Sequence, residues 1–309
     1  MKLKVLATCI SEKKGTIKLP EPYIDLNKHG VFGDAHAGSW HRQVSLLGVE
    51  SIRKFSVEAG RNIAFGEFAE NITTEGLLLH EMHPFDRLIG KNVELEITQI
   101  GKKCHGENCV IFREVGNCVM PKEGIFARVV RNGRLQMGDL LEYVPRIWKI
   151  RIVTLSDRAS KGEYEDKSGP LLSRLVSEHF VVSGQKTEIT SDVIPDSKEQ
   201  LRQIIEQSKD QHVDLLITTG GTGIGPRDIT PDVMKAYFDK EIPGIMEHIR
   251  TKYGANIPNA LLSRGVAGVM GTMLAFTLPG SPKAIKEYCE EIFKIFDHSY
   301  LMLYGIDGH

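Results

Sequence analysis

The stretch TTGGTGIGPRDITPD (residues 218–232) overlaps the end of an apolar run, DLLITTG (214–220). It contains four glycines and two prolines, and Arg227 and Asp228 stand side by side in it. Apolar runs of this length are typical of strands buried in a parallel sheet. Glycines allow backbone N–H groups to approach a ligand closely and to form an anion-binding concavity. The stretch therefore predicts a ligand loop at the carboxyl end of a strand, where open α/β sheets bind their ligands.

The sequence around this loop alternates between strand and helix patterns. WKIRIVTLS (148–156) and TMLAFTLPG (272–280) are further apolar runs of the kind that parallel sheets bury. Helical periodicity lies between and after them, in GPLLSRLVSEHF, SKEQLRQIIEQS, PDVMKAYFDK and SPKAIKEYCEEIFKIFDHSYLML. This alternation predicts an α/β domain with a doubly wound, mostly parallel sheet over residues 146–309.

Residues 1–145 have a different rhythm, with short alternating segments such as VELEITQI and LLEYV between glycine, asparagine and aspartate turns. The pattern predicts an all-β, barrel-like domain with one short helix near Ser51–Ala59. The dipeptide Asn132-Gly133 predicts a two-residue hairpin turn, because both of its positions need positive φ. Pro145 marks the predicted boundary between the two domains.

The composition limits the classes of function. A chain of 309 residues fits two domains of about 150 residues each. Its 39 lysines and arginines against 40 acidic residues indicate no bulk attraction to nucleic acid or to an anionic membrane. The apolar run Val5–Ile10 is shorter than a signal-peptide core and no run reaches transmembrane length, so we expect a cytoplasmic protein. Five cysteines do not indicate a disulfide framework in a chain of this size.

The glycine loop matches neither common nucleotide-binding fingerprint, because Pro226 stands where a P-loop requires lysine. Thr230 and Pro231 suit the N-cap and first position of a helix, whose positive end would favour an anion. A plain loop followed by a well-capped helix would explain the same residues. The adjacent Arg227 and Asp228 favour a phosphate with its magnesium ion instead.

Other loops at predicted strand ends carry polar residues with two compatible roles. Asp196 in VIPDS and Ser281 in LPGSP suit the N-caps of the helices that follow them. Asp157 in SDRAS could form a surface ion pair or line the ligand pocket. Capping and anion binding can occur together, since free N–H groups remain at a helix start. The residues alone leave both roles open.

In chain order, SDRASKGEYEDKSG (156–169), VIPDS (193–197), the glycine loop and LPGSPKAIKE (278–287) resemble the molybdopterin adenylyltransferases of the Mog and gephyrin G-domain type. The resemblance spans residues 148–300. It implies a magnesium-dependent transfer of AMP from ATP to the terminal phosphate of molybdopterin, with release of pyrophosphate. It also implies a homo-oligomer, a trimer or larger, because this domain is commonly trimeric in the family.

The resemblance also implies roles for individual residues. Asp228 of GPRD and Asp196 of IPD correspond to the family's two functional aspartates, and we expect them to act in catalysis and to hold Mg²⁺. The residues expected to bind nucleotide and pterin are Thr219, Gly220, Gly221, Thr222, Gly223, Arg227, Asp157, Ser281 and Lys283. Joining two phosphates requires alignment and charge neutralisation rather than a covalent nucleophile, which agrees with these residue types.

GVFGDAHAGSWHRQVSLLG (30–48), FGEFAENITTEGL (65–77) and GIFARVVRNGRLQMGD (124–139) resemble the MOSC domain, named after the C-terminal domain of molybdenum-cofactor sulfurases. The likeness spans about residues 1–144. It implies a β-barrel-like module that binds the molybdenum cofactor or carries sulfur on a cysteine. Molybdoenzymes or a sulfur donor would be its partners.

Three cysteines, Cys104, Cys109 and Cys118, lie within fifteen residues, and Cys104 stands where small MOSC proteins keep their cysteine. Neighbouring lysines would lower the pKa of its thiol if they lay close to it. The cluster is compatible with a reactive or cofactor-binding Cys104, with a structural metal, or with buried inert thiols. The expected MOSC site residues are Cys104, Cys118, His36, His41, Arg42 and Asn71, although each polar group alone also suits a structural hydrogen bond.

Three hypotheses on function follow. In the first, the C-terminal domain adenylylates molybdopterin and the N-terminal domain receives, sulfurates or delivers the cofactor. In the second, both domains bind molybdopterin or finished cofactor without turnover. In the third, the cysteine cluster is a metal or redox sensor. Formation of adenylyl-molybdopterin from labelled ATP separates the first two, and metal analysis tests the third.

Overall fold

The computed structural model describes residues 1–103 and 118–306. The chain divides into two compact units, Met1–Arg146 and Ile147–His309. The N-terminal unit contains two hydrogen-bonded sheets and the C-terminal unit contains one, among the described residues.

The N-terminal unit contains a closed barrel. Its described strands are β1 (Lys2–Ile10), β2 (Leu19–Glu21), β3 (Tyr23–Asn27), β4 (Gly30–Val31), β5 (Val44–Gly48), β6 (Ile72–Glu75), β7 (Arg87–Ile89), β8 (Glu94–Ile100), β9 (Ile125–Arg131), β10 (Gly133–Gln136) and β11 (Leu140–Val144). Hydrogen bonds join them in the order β11-β7-β8-β9-β5-β6-β1, and β1 pairs back onto β11. β2 pairs antiparallel with β1, and β10, β3 and β4 form a smaller sheet.

Apolar side chains at alternate positions fill this barrel. On β1, Leu3 and Val5 are fully buried, whereas Lys2 and Lys4 are exposed. Successive side chains of a strand point to opposite faces of the sheet, so this alternation sets which face is inside. The barrel prediction is confirmed by these strands and their closure.

The unit is not made of strands alone. α1 (Val49–Ala59) is two residues longer at its start than the predicted helix, and a short α2 (Met120–Glu123) and a 3-10 turn (Leu79–Glu81) follow later. α1 ends at Gly60, whose φ of +66° is the left-handed conformation that commonly terminates helices.

The predicted hairpin at Asn132-Gly133 is wrong. β9 pairs with β8 and β5, whereas β10 leaves the barrel and pairs with β3, with Gly133 opposite Leu26. The glycine serves a close approach instead of a turn, since a Cβ on Gly133 would lie 2.2 Å from the carbonyl oxygen of Asn92.

The C-terminal unit is a layered α/β domain. Its described strands are β12 (Ile147–Leu155), β13 (Lys186–Ile194), β14 (Leu215–Thr219), β15 (Lys240–Glu241), β16 (Ala267–Met270) and β17 (Met273–Leu278). The sheet order is β13-β12-β14-β17-β16-β15; the first four strands are parallel, and β16 and β15 add antiparallel pairings. The prediction of a mostly parallel sheet is confirmed.

Helices connect and cover these strands. They are α3 (Asp157–Ser160), α4 (Ser168–Val182), α5 (Lys198–Asp210), α6 (Thr230–Lys235), α7 (Pro243–Gly254), a 3-10 turn (Pro258–Leu262), α8 (Pro282–Ile292) and α9 (Phe296–Leu303). α5 shows why such segments are helical: it buries Leu201, Ile204, Ile205 and Ser208, whose spacing follows one face of a helix. Across the described residues, none of the helices has the length and apolar character needed to cross a bilayer.

Candidate active site

The loops predicted to bind ligand lie at one edge of the C-terminal sheet. The last residues of the parallel strands are in register: Leu155 pairs with Ile194, and Thr219 pairs with both Thr154 and Leu278. Because these strands run in the same direction, the segments that follow them emerge at the same edge. This brings the glycine loop beside the start of α3, the turn before α5 and the turn before α8.

Two glycines at the start of the loop are required by the fold. Gly220 has φ of +99°, and a Cβ there would lie 2.3 Å from the carbonyl oxygen of Leu155. Gly221 has φ of +62°, and its Cβ would lie 2.5 Å from Oγ1 of Thr230. Both the dihedral angle and the close packing exclude a side chain at these positions.

The helix after the loop begins one residue away from the prediction. Ile229, not Thr230, precedes the first helical residue, and Thr230 makes no capping contact. Its hydroxyl donates to the carbonyl oxygen of Gly220 at 2.9 Å, and its backbone N–H donates to Gly221 O at 3.1 Å. Thr230 therefore ties the start of α6 to the loop.

The glycine loop contains four consecutive amides that bind no acceptor in the described part of the chain. Among the described residues, nothing accepts a hydrogen bond from the N–H groups of Gly221, Thr222, Gly223 or Ile224. Consecutive backbone N–H groups of this kind form an anion-binding concavity.

Asp228 closes the far end of the loop. Its carboxylate accepts a hydrogen bond from the Gly225 N–H at 2.7 Å, and its own N–H donates to Gly225 O at 3.0 Å. A Cβ on Gly223 would lie 2.7 Å from Oδ2 of Asp228, so the carboxylate faces the middle of the loop. The side chain is half-buried and retains accepting capacity beyond this one bond.

Asp196 is not a helix cap. Ser197 is the N-cap of α5, where its hydroxyl accepts from the Gln200 N–H at 3.3 Å. The Asp196 carboxylate instead lies near the glycine loop, 3.6 Å from the position of a Cβ on Gly221. Burial raises the pKa of Asp196, and the negative charges of Asp157 and Asp228 act in the same direction.

Asp157 and Arg227 form an ion pair with 2.7 Å between Oδ2 and Nη1. The other carboxylate oxygen of Asp157 accepts from the Asp196 N–H at 3.0 Å. The Asp196 N–H and the Arg227 guanidinium lower the pKa of Asp157. Arg227 is largely exposed, so the pair places one guanidinium at the rim between two loops.

The turn before α8 forms the opposite side of the site. Ser281 is the N-cap of α8, as predicted, and its hydroxyl accepts from the Ala284 N–H at 3.2 Å. Lys283 is mostly exposed, and its ammonium lies 3.9 Å from Glu287. Thr219 differs from the other predicted site residues, because it is fully buried and its hydroxyl donates to Pro279 O at 3.0 Å. It supports this turn from inside the protein.

A cavity of about 520 Å³ lies between these loops. Seven predicted site residues line it: Gly220, Gly221, Thr222, Gly223, Asp228, Ser281 and Lys283. Thr219, Asp157, Asp196 and Arg227 are not part of its lining.

The residues of the other wall of this cavity were not predicted from the sequence. α7, the 3-10 turn with the residue that follows it, and α8 contribute Arg250, Tyr253, Asn259, Ser263 and Tyr288. Tyr288 donates to the Ser263 hydroxyl at 3.1 Å, and Arg250 donates to Gly265 O at 3.0 Å. These residues carry no motif, and only the packing of α7 against the 3-10 turn and α8 brings them together beside the glycine loop.

A second, smaller cavity of about 120 Å³ lies in the N-terminal unit. It is lined by His36, Trp40, Arg42, Ser45, Ala69, Asn71, Lys102, Met120 and Phe126. Three of the predicted MOSC site residues, His36, Arg42 and Asn71, thus meet at one place. His41 is not part of the lining, and its carbonyl oxygen accepts from Oγ1 of Thr98 at 2.8 Å.

Asn71 is a structural centre of this region. Its Nδ2 donates to Cys9 O and to Oδ2 of Asp34, both at 3.1 Å, while its Oδ1 accepts from the Ser45 hydroxyl at 3.0 Å. The buried Asp34 also binds the ammonium of the buried Lys18. The Ser45 N–H donates a second bond to Oδ1 at 3.2 Å, so all four hydrogen-bonding positions of the Asn71 amide are used within the protein, and its main role is to hold the cavity wall.

The cavity has a cationic and aromatic lining. The Arg42 guanidinium lies 4.8 Å from the Trp40 ring centroid and 5.9 Å from that of Phe126. The Lys102 ammonium lies 5.9 Å from the Phe126 centroid. Among the described residues, Nε of Arg42 is buried with no hydrogen-bond partner. An anion or a flat polar ring matches this chemistry.

Of the three clustered cysteines, Cys118 belongs to the described residues. Cys104 and Cys109 lie outside the described residues. Cys118 is buried in an apolar cluster with Phe55, Phe68 and Val119, and it does not line the small cavity.

Two family models match the chain. The model described as "Probable molybdopterin binding domain" matches residues 151–298, and the MOSC domain model matches residues 33–142.

Curated relatives match the C-terminal half. The molybdopterin adenylyltransferase of Escherichia coli K12 is 40% identical over 151 residues, covering 47% of this chain and 73% of that protein. The Helicobacter pylori J99 enzyme of the same name is 35% identical over 157 residues, covering 50% of this chain and 88% of that protein. Molybdenum cofactor synthesis protein cinnamon of Drosophila melanogaster is 34% identical over 149 residues, covering 48% of this chain but 24% of that protein. A solved structure of MogA is 34% identical, with a TM-score of 0.47, and covers 50% of this chain and 99% of that one.

Proposed function

The chain belongs to the molybdopterin adenylyltransferase family, an enzyme family of molybdenum cofactor biosynthesis, and on that premise we propose that its C-terminal unit joins molybdopterin to AMP. The terminal phosphate oxygen of molybdopterin attacks the α-phosphorus of ATP and forms a new P–O bond. The bond from the α-phosphorus to its bridging oxygen breaks, and pyrophosphate leaves with that electron pair.

The observation that carries this proposal is the 520 Å³ cavity between two backbone turns suited to anions. On one side are the glycine loop amides that have no acceptor among the described residues. On the other side is the start of α8, an eleven-residue helix capped by Ser281, where Lys283 adds a positive charge. Two phosphate-bearing substrates would need two such turns facing one space.

The residues supply alignment and charge neutralisation. Both reacting groups are anionic, so the barrier falls when fixed donors surround the charge that develops on the phosphates. The amides of Gly221 to Ile224 supply such donors, and Lys283 and Arg227 supply exposed cations. The aromatic rings of Tyr253 and Tyr288 in the cavity wall suit a flat heterocycle.

The site also fits a magnesium ion that binds together with a nucleotide. Among the described residues, no group of three or more His, Cys, Asp or Glu side chains is placed to hold a metal. Mg²⁺ usually binds through one or two carboxylates plus substrate phosphates and keeps several waters. Asp196 and Asp228, whose carboxylates flank the glycine loop, would hold it, and it would neutralise phosphate charge.

For the N-terminal unit we propose binding of the molybdenum cofactor through its anionic group. The support is the cavity in which Arg42, Lys102 and His36 stand beside Trp40 and Phe126. The arrangement would hold a cofactor that the unit receives, sulfurates or passes on to a molybdoenzyme. We also propose a homo-oligomer, for which light scattering of the purified chain is the direct measurement.

The decisive experiment incubates the full chain with molybdopterin, Mg²⁺ and ATP labelled at the α-phosphate. We expect label in adenylyl-molybdopterin and release of one pyrophosphate for each product. Omission of molybdopterin is the control for ATP hydrolysis. Binding of both substrates without labelled product would show a carrier instead of an enzyme.

A further inference from the structure

Arg264 holds the glycine loop from outside the motif. Its backbone N–H donates to Thr222 O at 2.8 Å, and its Nε donates to Gly223 O at 2.8 Å. One of its terminal nitrogens, Nη2, donates to Asp228 O at 2.6 Å. A single residue therefore binds carbonyl groups at both ends of the loop segment 222–228.

These bonds set the direction of the loop amides. In a trans peptide the C=O and N–H groups are coplanar and point in opposite directions. With the carbonyls of Thr222 and Gly223 directed at Arg264, the N–H groups of Gly223 and Ile224 point away from it. Those two N–H groups are among the amides without an acceptor in the described part of the chain.

Arg264 does not line the large cavity, so it acts through the loop. Asp232 fixes the guanidinium from the other side with two bonds of 2.9 Å, to Nη1 and Nη2. This ion pair is partly exposed, and such pairs contribute little stability by themselves. The bonds from Arg264 to the loop are separate from this pair, since they go to the carbonyl oxygens of Thr222, Gly223 and Asp228.

We propose that Arg264 is a positioning residue that aims the glycine loop amides at a substrate phosphate. This inference rests on the proposed function of the C-terminal unit. The planar guanidinium donates in fixed directions to separate acceptors, which the point charge of lysine cannot reproduce. Loss of the side chain leaves the backbone bond to Thr222 O in place but frees the peptide groups at the carbonyls of Gly223 and Asp228 to rotate.

The test compares the full chain with Arg264→Ala, Arg264→Lys and Asp232→Asn. Asp232→Asn is the matched control, because it removes the partner charge and leaves the three Arg264 bonds to the loop in place. Calorimetric titration with ATP and Mg²⁺, and separately with molybdopterin, gives a Kd and a stoichiometry for each variant. The two titrations identify which substrate's phosphate the loop binds.

We expect Arg264→Ala to raise the Kd for at least one substrate by about tenfold or more, because misaligned donors lose both binding and orientation. Arg264→Lys should have a higher Kd than the wild-type chain. Asp232→Asn should have a Kd within about twofold of the wild-type value. A purely structural defect would instead lower the stoichiometry and leave the Kd of the remaining folded molecules unchanged. If the alanine variant does not fold, the lysine variant gives the same comparison.

Wild-type Kd values for both substrates in Arg264→Ala, or in Arg264→Lys where only that variant folds, would overturn the role of Arg264. The proposed function fails separately, when the wild-type chain binds its substrates but forms no adenylyl-molybdopterin. The Kd comparison remains a valid test of the loop in that case.

Discussion

Replacing Gly220 by alanine tests whether the candidate active site depends on bare backbone. Gly220 has φ of +99°, where any other L-residue is strained. A Cβ there would lie 2.3 Å from the carbonyl oxygen of Leu155, the last residue of β12. That neighbour is backbone held in the central sheet, so it cannot rotate away as a side chain could.

The free energy of unfolding that Gly220→Ala should lose has two parts. The unfavourable φ costs about 1 to 3 kcal/mol by itself. Displacement of packed backbone adds about 1 to 3 kcal/mol, as in overpacked interiors. Gly162 is the matched control, because its φ is +73° and a Cβ there would meet no atom within 4 Å. Gly162→Ala should therefore lose only the stability that the unfavourable φ costs. The difference in free energy of unfolding between the two variants then isolates the clash with Leu155.

Urea unfolding can follow the C-terminal unit alone. The two tryptophans lie in different units, and Trp148 is buried in the C-terminal core, where its ring lies 4.5 Å from that of Tyr300. In a Trp40→Phe background, fluorescence then reports this unit. We expect Gly220→Ala to unfold at a clearly lower urea concentration than Gly162→Ala and to lose adenylylation about a hundredfold or more. Equal midpoints and normal turnover would refute the claim that the loop requires glycine here.

Three further predictions concern single side chains. Asp228→Asn, with the fold intact by circular dichroism, should lower adenylylation turnover on the order of a hundredfold, and unchanged turnover would remove Asp228 from the mechanism. Burial raises the pKa of Glu70 from its ordinary 4.5 to about 6, so the folded N-terminal unit retains a proton that the unfolded chain releases. The free energy of unfolding of the N-terminal unit should therefore fall by about 2 kcal/mol as pH rises from 4.5 to 6 and then level off. In urea melts at a series of pH values, Glu70→Gln should abolish this change. A wild-type pH profile in Glu70→Gln would contradict the assignment of the change to Glu70. Arg42→Gln should weaken molybdenum cofactor binding by the N-terminal unit about tenfold in a fluorescence titration, and an unchanged Kd would exclude Arg42 from the site.

Local signals were sufficient to predict several parts of this protein. The apolar runs at 148–156, 214–220 and 272–280 become parallel strands, because a strand buried on both faces must be apolar along its length. Ser281-Pro282 begins a helix, since the capping hydroxyl and the fixed φ of proline act within one turn. The glycine loop follows its strand as predicted, because the apolar run and the glycines that end it are neighbours in the sequence.

The tertiary structure decided what depends on partners distant in sequence. The segment at Gly133 pairs with β3 instead of forming a hairpin, because strand pairing is chosen by the whole sheet and not by two turn residues. The Thr230 hydroxyl donates to Gly220 instead of capping its helix, and Arg264 reaches a loop about forty residues earlier in the chain. The sequence thus determined which segments become strands, helices and a bare loop, since those depend on neighbouring residues. Only the folded chain decided which side chains surround the loop, because those hydrogen bonds join residues that no local pattern connects.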